Sequence, residues 1–187
     1  MRRRATRSVD RESPASDFTA SLADAARSLF RALSDRGLTI ACAESCTGGL
    51  VTAALTDIPG SSAVLWGGVA AYSNECKSRL LWVPSPLIAA HGAVSREVAR
   101  SMAEGMMKAA EADLSLAITG IAGPDGGSPE KPVGLVWFAW RSRGGEAFEE
   151  SARFSGDRRA VREAAAERAL SVAEALARRV EPREARY

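Results

Sequence analysis

Apolar residues recur at helical spacing between positions 18 and 36, where Leu22, Ala26, Leu29, Phe30 and Leu33 share a face and Gly37 ends the pattern. That spacing predicts a first amphipathic helix. The run "LTIACAE" that follows has the length and continuity of a buried strand, and "GGLVTAALTD" returns to a helical pattern until Ile58, Pro59 and Gly60 stop it. "AVLWGGVAAY" reads as a second strand interrupted by Gly67 and Gly68, where a bulge or a close backbone approach is expected. "SNECKSRLLW" opens with capping residues and predicts a short helix, and "VPSPLIAAHG" is read as a proline-marked link. Ser95 then caps a helix carrying Val98, Met102 and Met106 on one face.

Farther along, "DLSLAIT" predicts a buried strand, and "GIAGPDGGSPEKP" a long glycine and proline loop. "VGLVWFAW" and "AFEESARF" flank the turn "RSRGGE" and predict a hairpin. A last helix is expected from about 157 to 180, with Val161, Ala165 and Leu176 on its buried face. Alternating helices and strands with one terminal hairpin define the expected class: an α/β fold, a single layered domain in which helices flank a mixed β-sheet, with a C-terminal hairpin and a long final helix. The domain is set at residues 18–181, behind a basic disordered tail over residues 1–17.

Composition changes this picture little. At 187 residues the chain can bury roughly 70% of the surface its unfolded form exposes, enough for one core without staples. Lys+Arg 25 against Asp+Glu 23 leaves a net charge of +2, which argues against nucleic acid as a partner and for a small molecule. No apolar run is long enough to span a membrane and the N-terminus has no secretory apolar segment, so the expectation is a cytoplasmic protein without a membrane partner. Cys42, Cys46 and Cys76 form no CxxC pair and lie far from the one histidine, His91, so neither a metal site nor a disulfide framework is expected.

Candidate chemistry gathers at the corner "ESCTGG", where a strand gives way to a helix. Ser45 falls beyond the strand's carboxyl end, where open α/β sheets bind ligands, and the N–H groups of the first helical turn are expected to face the same crevice and favour an oxyanion. Without the glycines of a G-x-S-x-G elbow this is not the α/β-hydrolase corner. A base is needed. Lys77, near the start of the helix after Tyr72, feels the positive end of the helix dipole, and burial would push it further toward the neutral amine. The catalytic set read from these residues is Ser45 as nucleophile, with Lys77 and Tyr72 relaying protons.

Each of these residues also has a purely structural reading. Ser45 and Thr47 can cap the helix, Tyr72 can be a core aromatic, and Lys77 can be a solvated surface charge. Cys46 is an alternative nucleophile and His91 an alternative base, although the thiol is expected to turn inward and the imidazole to lie in a loop.

The segments "AESCTGGLVTAALTDIPGSSAVLWGGVAAYSNECKSRLLWV", "AITGIAGPDGGSPEKPVGLVWFA" and "FSGDRRAVREAA" strongly resemble the CinA C-terminal domain family, over about residues 20–178. The enzymatic members of that family are nicotinamide-nucleotide amidases. The resemblance implies hydrolysis of the carboxamide of nicotinamide mononucleotide to nicotinate mononucleotide and ammonia in pyridine nucleotide salvage, with no cofactor and no metal. It places the family's serine, tyrosine and lysine on Ser45, Tyr72 and Lys77. Cys46, Thr47, Gly48, Gly49 and Asn74, together with Thr119, Gly120, Ala122 and Gly123 of the glycine loop, are the candidate substrate-binding residues, and Arg158 and Arg162 are candidates for a substrate phosphate.

A homo-oligomer is expected, since small α/β enzymes often pair through a sheet edge or a helix face. Longer CinA proteins carry a separate N-terminal domain in the place of this chain's arginine-rich tail, so activities of that domain are not expected here. Gly67 and Gly68 depart from the bulkier or charged residues expected of the family, which points to an altered pocket wall. The competing reading is a non-catalytic nucleotide-binding or interaction module on the same fold, linked to competence and DNA damage.

Overall fold

Residues 19–181 are described by a computed structural model, and the tail assigned to residues 1–17 lies outside them. Five strands form one mixed sheet in the order β2-β1-β3-β4-β5. β1 (Ile40–Glu44), β2 (Leu65–Ala70) and β3 (Leu114–Gly120) are parallel, while β4 (Leu135–Ser142) and β5 (Ala147–Arg153) form the expected hairpin, with β4 antiparallel to β3. The helices are α1 (Ala20–Ser34), α2 (Leu50–Thr56), α3 (Asn74–Leu81), α4 (Ser85–His91), α5 (Arg96–Ala110) and α6 (Arg158–Ala177).

The sheet separates two apolar layers. Ile40 and Cys42 of β1, Leu116 and Ile118 of β3, and Phe138 and Trp140 of β4 pack with α1, α2 and α6. Ala41, Ala43, Ala117 and Ala139 face the other way, against α3, α4 and α5. Strand side chains alternate with a period of two, so the first layer takes the large residues of these strands and the second takes alanines that let α5 come close. On the hairpin, Phe138 and Trp140 stack at 5.6 Å, and the Trp140 indole donates to Ala169 O of α6 at 3.2 Å.

Two departures from the sequence reading have clear causes. The presumed link "VPSPLIAAHG" contains helix α4, with Pro84 at its N-cap and Pro86 in its first turn. Proline is tolerated there because those N–H groups have no partner within the helix. The second concerns Gly67 and Gly68. β2 does bulge, since Ile40 pairs Leu65 while Ala41 pairs Gly67, leaving Trp66 as the extra residue. Yet neither glycine lines the cavity described below. A Cβ on Gly68 would lie 2.1 Å from Thr52 Oγ1, so this glycine lets α2 settle on the sheet and has no part in shaping a pocket wall.

Gly68→Ala should therefore push Thr52 off its place and destabilise the fold by about 1–3 kcal/mol, the usual cost of overpacking. Urea denaturation measures this, and an unchanged midpoint would show that α2 can slide without loss.

Candidate active site

β1 and β2 end level, Glu44 pairing Ala70, and β3 continues from Ile118, the partner of Glu44 on its other side, through Thr119 to Gly120. The segments that follow the three parallel strands therefore meet at one edge, the crevice where open α/β sheets take ligands. Alternation along β1 then decides the next two side chains. Glu44 follows Ile40 and Cys42 toward α2, and Ser45 follows Ala41 and Ala43 toward α3.

Lys77 lies on that side, in α3, with 1% of its surface exposed. Its Nζ donates to Ser45 Oγ at 3.0 Å, to Ala71 O at 2.9 Å and, more distantly, to Tyr72 O at 3.5 Å. Burial lowers the Lys77 pKa below the ordinary lysine value, the nearby Cys76 and Cys46 thiols opposing the shift only in part. The solvated-charge reading of Lys77 is thereby excluded. A neutral amine has two N–H groups for the two carbonyls and one lone pair left for the serine proton.

Ser45 and Thr47 do not cap α2. The cap residue is Gly49, with φ 99° and no capping side chain. Glu44 takes that role: its fully buried carboxylate accepts from the N–H groups of Gly49 (3.0 Å), Val51 (3.1 Å) and Thr52 (2.9 Å) and from Thr52 Oγ1 (2.7 Å). The expectation that the first turn of the helix is free to meet an oxyanion is therefore corrected, because a carboxylate already occupies it. Thr47 is fully buried, and its hydroxyl has no partner among the described residues.

A cavity of about 180 Å³ opens over the Ser45–Lys77 pair. Of the residues singled out from the sequence, Ser45, Cys46, Tyr72, Asn74, Lys77, Thr119, Gly120, Ala122 and Arg158 line it. Thr47, Gly48, Gly49 and Gly123 stand behind or beside the wall: the Gly48 N–H bonds Ser45 O at 3.0 Å and the Gly49 N–H bonds Glu44, while Gly123 O accepts from Arg158 at 2.9 Å. Thr119 Oγ1 donates to Ala93 O at 2.8 Å, which brings Ala93 and Val94 into the lining from the segment before α5. Gly120 has no room for a side chain, since a Cβ would meet Leu135 O at 2.9 Å and Cys46 Sγ at 3.0 Å.

Tyr72 is not a core aromatic. It is 61% exposed, and its hydroxyl accepts from Arg158 Nη2 at 2.6 Å. What Tyr72 offers Lys77 is its backbone carbonyl, so the relay expected of its hydroxyl finds no support in this arrangement. His91 ends α4 beside Glu97, 3.6 Å from Nδ1 to the carboxylate, and does not line the cavity. The Cys46 thiol is pushed up to about 12 by burial, with the nearby Glu44 charge adding to the rise and the Cys46 and Thr47 backbone N–H groups opposing it. Burial also raises the Cys42 thiol well above its ordinary value.

These features define an α/β protein that presents a buried serine–lysine pair at the carboxyl ends of its parallel strands. Comparison with known proteins supplies the family: the chain belongs to the CinA C-terminal domain family, whose profile matches residues 22–177. It is 54% identical over 142 residues to a CinA-like protein of Geobacter sulfurreducens, covering 76% of this chain and 33% of that protein. It is 53% identical over 140 residues to the nicotinamide-nucleotide amidohydrolase PncC of Escherichia coli (strain K12), covering 75% of this chain and 85% of that one. The chain thus spans about a third of the length of the longer CinA-like relatives and most of the shorter protein. Among solved structures, a competence/damage inducible protein, CihA, from Agrobacterium tumefaciens superposes with a TM-score of 0.84 at 41% identity, covering 87% of this chain and 99% of that one. No helix of the described residues is long and apolar enough to cross a membrane.

With iodoacetamide at about pH 8, half-buried Cys76 should alkylate first, and Cys42 and Cys46 only after unfolding, because their thiols stay protonated. Peptide mapping by mass spectrometry reads this directly. Native-state labelling of Cys46 at the rate of Cys76 would contradict a buried, protonated thiol and reopen its case as a nucleophile.

Proposed function

We propose that this chain hydrolyses the carboxamide of nicotinamide mononucleotide, giving nicotinate mononucleotide and ammonia, through an acyl-enzyme on Ser45. The observation that carries the reading is the 3.0 Å contact between Ser45 Oγ and the buried Lys77 amine. A module that only binds a nucleotide needs neither a buried lysine nor a serine against it. The amidohydrolase name of the Escherichia coli relative gives the reaction class, and most of that protein is covered by the match.

In the proposed sequence the neutral Lys77 amine takes the Ser45 proton as Oγ attacks the carboxamide carbon. The negative charge that develops on the carboxamide oxygen is received by the N–H groups of Cys46 and Thr47. Among the described residues no backbone carbonyl accepts from either of them. The N–H of the residue after a nucleophile is a common oxyanion donor. The tetrahedral intermediate collapses as Lys77 passes its proton to the leaving nitrogen, which departs as ammonia. Water then attacks the acyl-serine, giving its proton to Lys77, and Ser45 recovers that proton as the nicotinate leaves.

The cavity is smaller than the roughly 300–1,000 Å³ of a pocket that takes a whole ligand of this kind, so it holds the pyridine carboxamide while ribose and phosphate extend past the rim. Arg158 lies at that rim with Tyr72 and is the proposed phosphate contact. Thr119, Asn74, Gly120 and Ala122 shape the wall around the ring. The reading carries with it a soluble, cytoplasmic setting in pyridine nucleotide salvage and pairing of the chain as a homo-oligomer.

The test is ammonia and nicotinate mononucleotide release from nicotinamide mononucleotide, with chelator present. Wild type and Cys46→Ala should turn over alike, while Ser45→Ala and Lys77→Met should lose about a thousandfold or more. The value of kcat/KM should rise with pH through the lowered Lys77 pKa and then level off, because only the neutral amine can take the proton. A folded, inactive wild type, or an active Ser45→Ala variant, would overturn the reading.

A further inference from the structure

The corner that carries Ser45 is held from two sides by opposite charges. On one side the Glu44 carboxylate gathers the N–H groups of Gly49, Val51 and Thr52. On the other, Arg162 reaches in from α6, its Nε donating to Cys46 O at 3.2 Å and its Nη2 to Thr47 O at 2.7 Å. The guanidinium lies close against this backbone, for a Cβ on Gly48 would come within 3.4 Å of Nη2, and Gly48 itself has φ 63°. Arg162 is thus committed to two backbone carbonyls, although its spacing from Arg158 had suggested a partner in binding phosphate.

The consequence follows from the geometry of a peptide group. In a planar trans peptide the C=O and the following N–H point in opposite directions. Holding Cys46 O therefore turns the Thr47 N–H directly away from Arg162, and holding Thr47 O turns the Gly48 N–H away, toward Ser45 O, which it meets at 3.0 Å. The Ser45 N–H is bound to Ile118 O at 2.9 Å, and the Gly49 N–H is bound to Glu44. Of the five N–H groups from Ser45 to Gly49, those of Cys46 and Thr47 have no acceptor oxygen among the described residues. They face the Cys46 thiol, which itself lines the cavity.

We propose that Arg162 is a positioning residue: with Glu44 as its counterpart, it fixes the Cys46–Thr47 backbone so that these two N–H groups, which lie against the Cys46 thiol and are held by no oxygen among the described residues, can turn to the oxyanion formed when Ser45 attacks. The proposal rests on the amidase reading above. Arg162 touches neither substrate nor reacting atoms and acts through the peptide it holds. Donors aligned in advance stabilise charge that exists only in the transition state, so their loss appears in kcat and leaves ground-state binding in place.

The experiment is steady-state kinetics on nicotinamide mononucleotide for wild type, Arg162→Gln and Arg162→Lys, with thermal melts and calorimetric binding of nicotinate mononucleotide as checks on the fold and the site. Arg162→Gln should lower kcat by about tenfold to a thousandfold, with KM and product affinity within about threefold of wild type. Arg162→Lys should recover part of the loss, since one ammonium can still reach one of the two carbonyls. An unchanged kcat in a folded Arg162→Gln variant overturns the proposal. So does a raised KM with kcat intact, which would return Arg162 to the substrate phosphate. If the glutamine variant does not fold, the lysine variant decides: a melt near that of wild type with reduced kcat supports positioning, and a collapsed melt makes Arg162 a residue of stability alone. A wild type that releases no ammonia overturns the amidase reading and the proposal together, whereas an active wild type with an indifferent Arg162 overturns only the latter.

Discussion

Removing a lysine amine from water is the constraint around which this site is arranged. An ammonium buried without a carboxylate partner is costly, and the cost falls when the group gives up its proton. Lys77 is buried almost completely, and its neighbours are a hydroxyl and two backbone carbonyls. These contacts can be made in either protonation state; in the neutral one two N–H groups meet the carbonyls and the lone pair is left for the serine proton. The same burial that lowers the amine's affinity for a proton places its nitrogen 3.0 Å from Ser45 Oγ.

The fold delivers that contact through alternation along a single strand. β1 places Glu44 on the α2 side and Ser45 on the α3 side, so adjacent residues reach opposite layers of the protein. Glu44 then anchors α2, Thr52 links Glu44 to the close packing allowed by Gly68, and Arg162 holds the corner from α6. A serine in a flexible turn would have many orientations. Here the backbone from Ser45 to Gly49 is tied to β3, α2 and α6 by named bonds, which is how a catalytic group keeps its geometry on a rigid scaffold.

Much of the architecture was legible in the sequence because periodicity reports burial. The strand runs "LTIACAE" and "DLSLAIT", the hairpin around "RSRGGE" and the long last helix all read correctly, whereas α4 was hidden by prolines that fit the first turn of a helix. Of the candidate site, the sequence showed which residues gather at one cavity better than it showed their contacts. Ser45, Lys77 and Thr119 were marked by their places at strand and helix ends, and all line one cavity. The Tyr72 side chain instead goes to Arg158, a pairing across 86 positions that no local pattern encodes. Glu44 was overlooked because an acidic residue ending an apolar strand looks like the edge of burial. The available signal was its place just before a corner whose helix has no capping side chain. Ala93 and Val94 could not have been found, since only the folded chain brings them beside Thr119.

The central claim is that Lys77 sits beside Ser45 as a base and not as a permanent cation. The most direct measurement is an NMR titration of the Lys77 side chain in the folded protein, assigned by its loss in Lys77→Met. The account predicts a pKa clearly below the ordinary lysine value, and a shift in the Ser45 resonances over the same pH range. A Lys77 that titrates at the ordinary lysine value, leaving Ser45 undisturbed, would contradict the mechanism at its foundation.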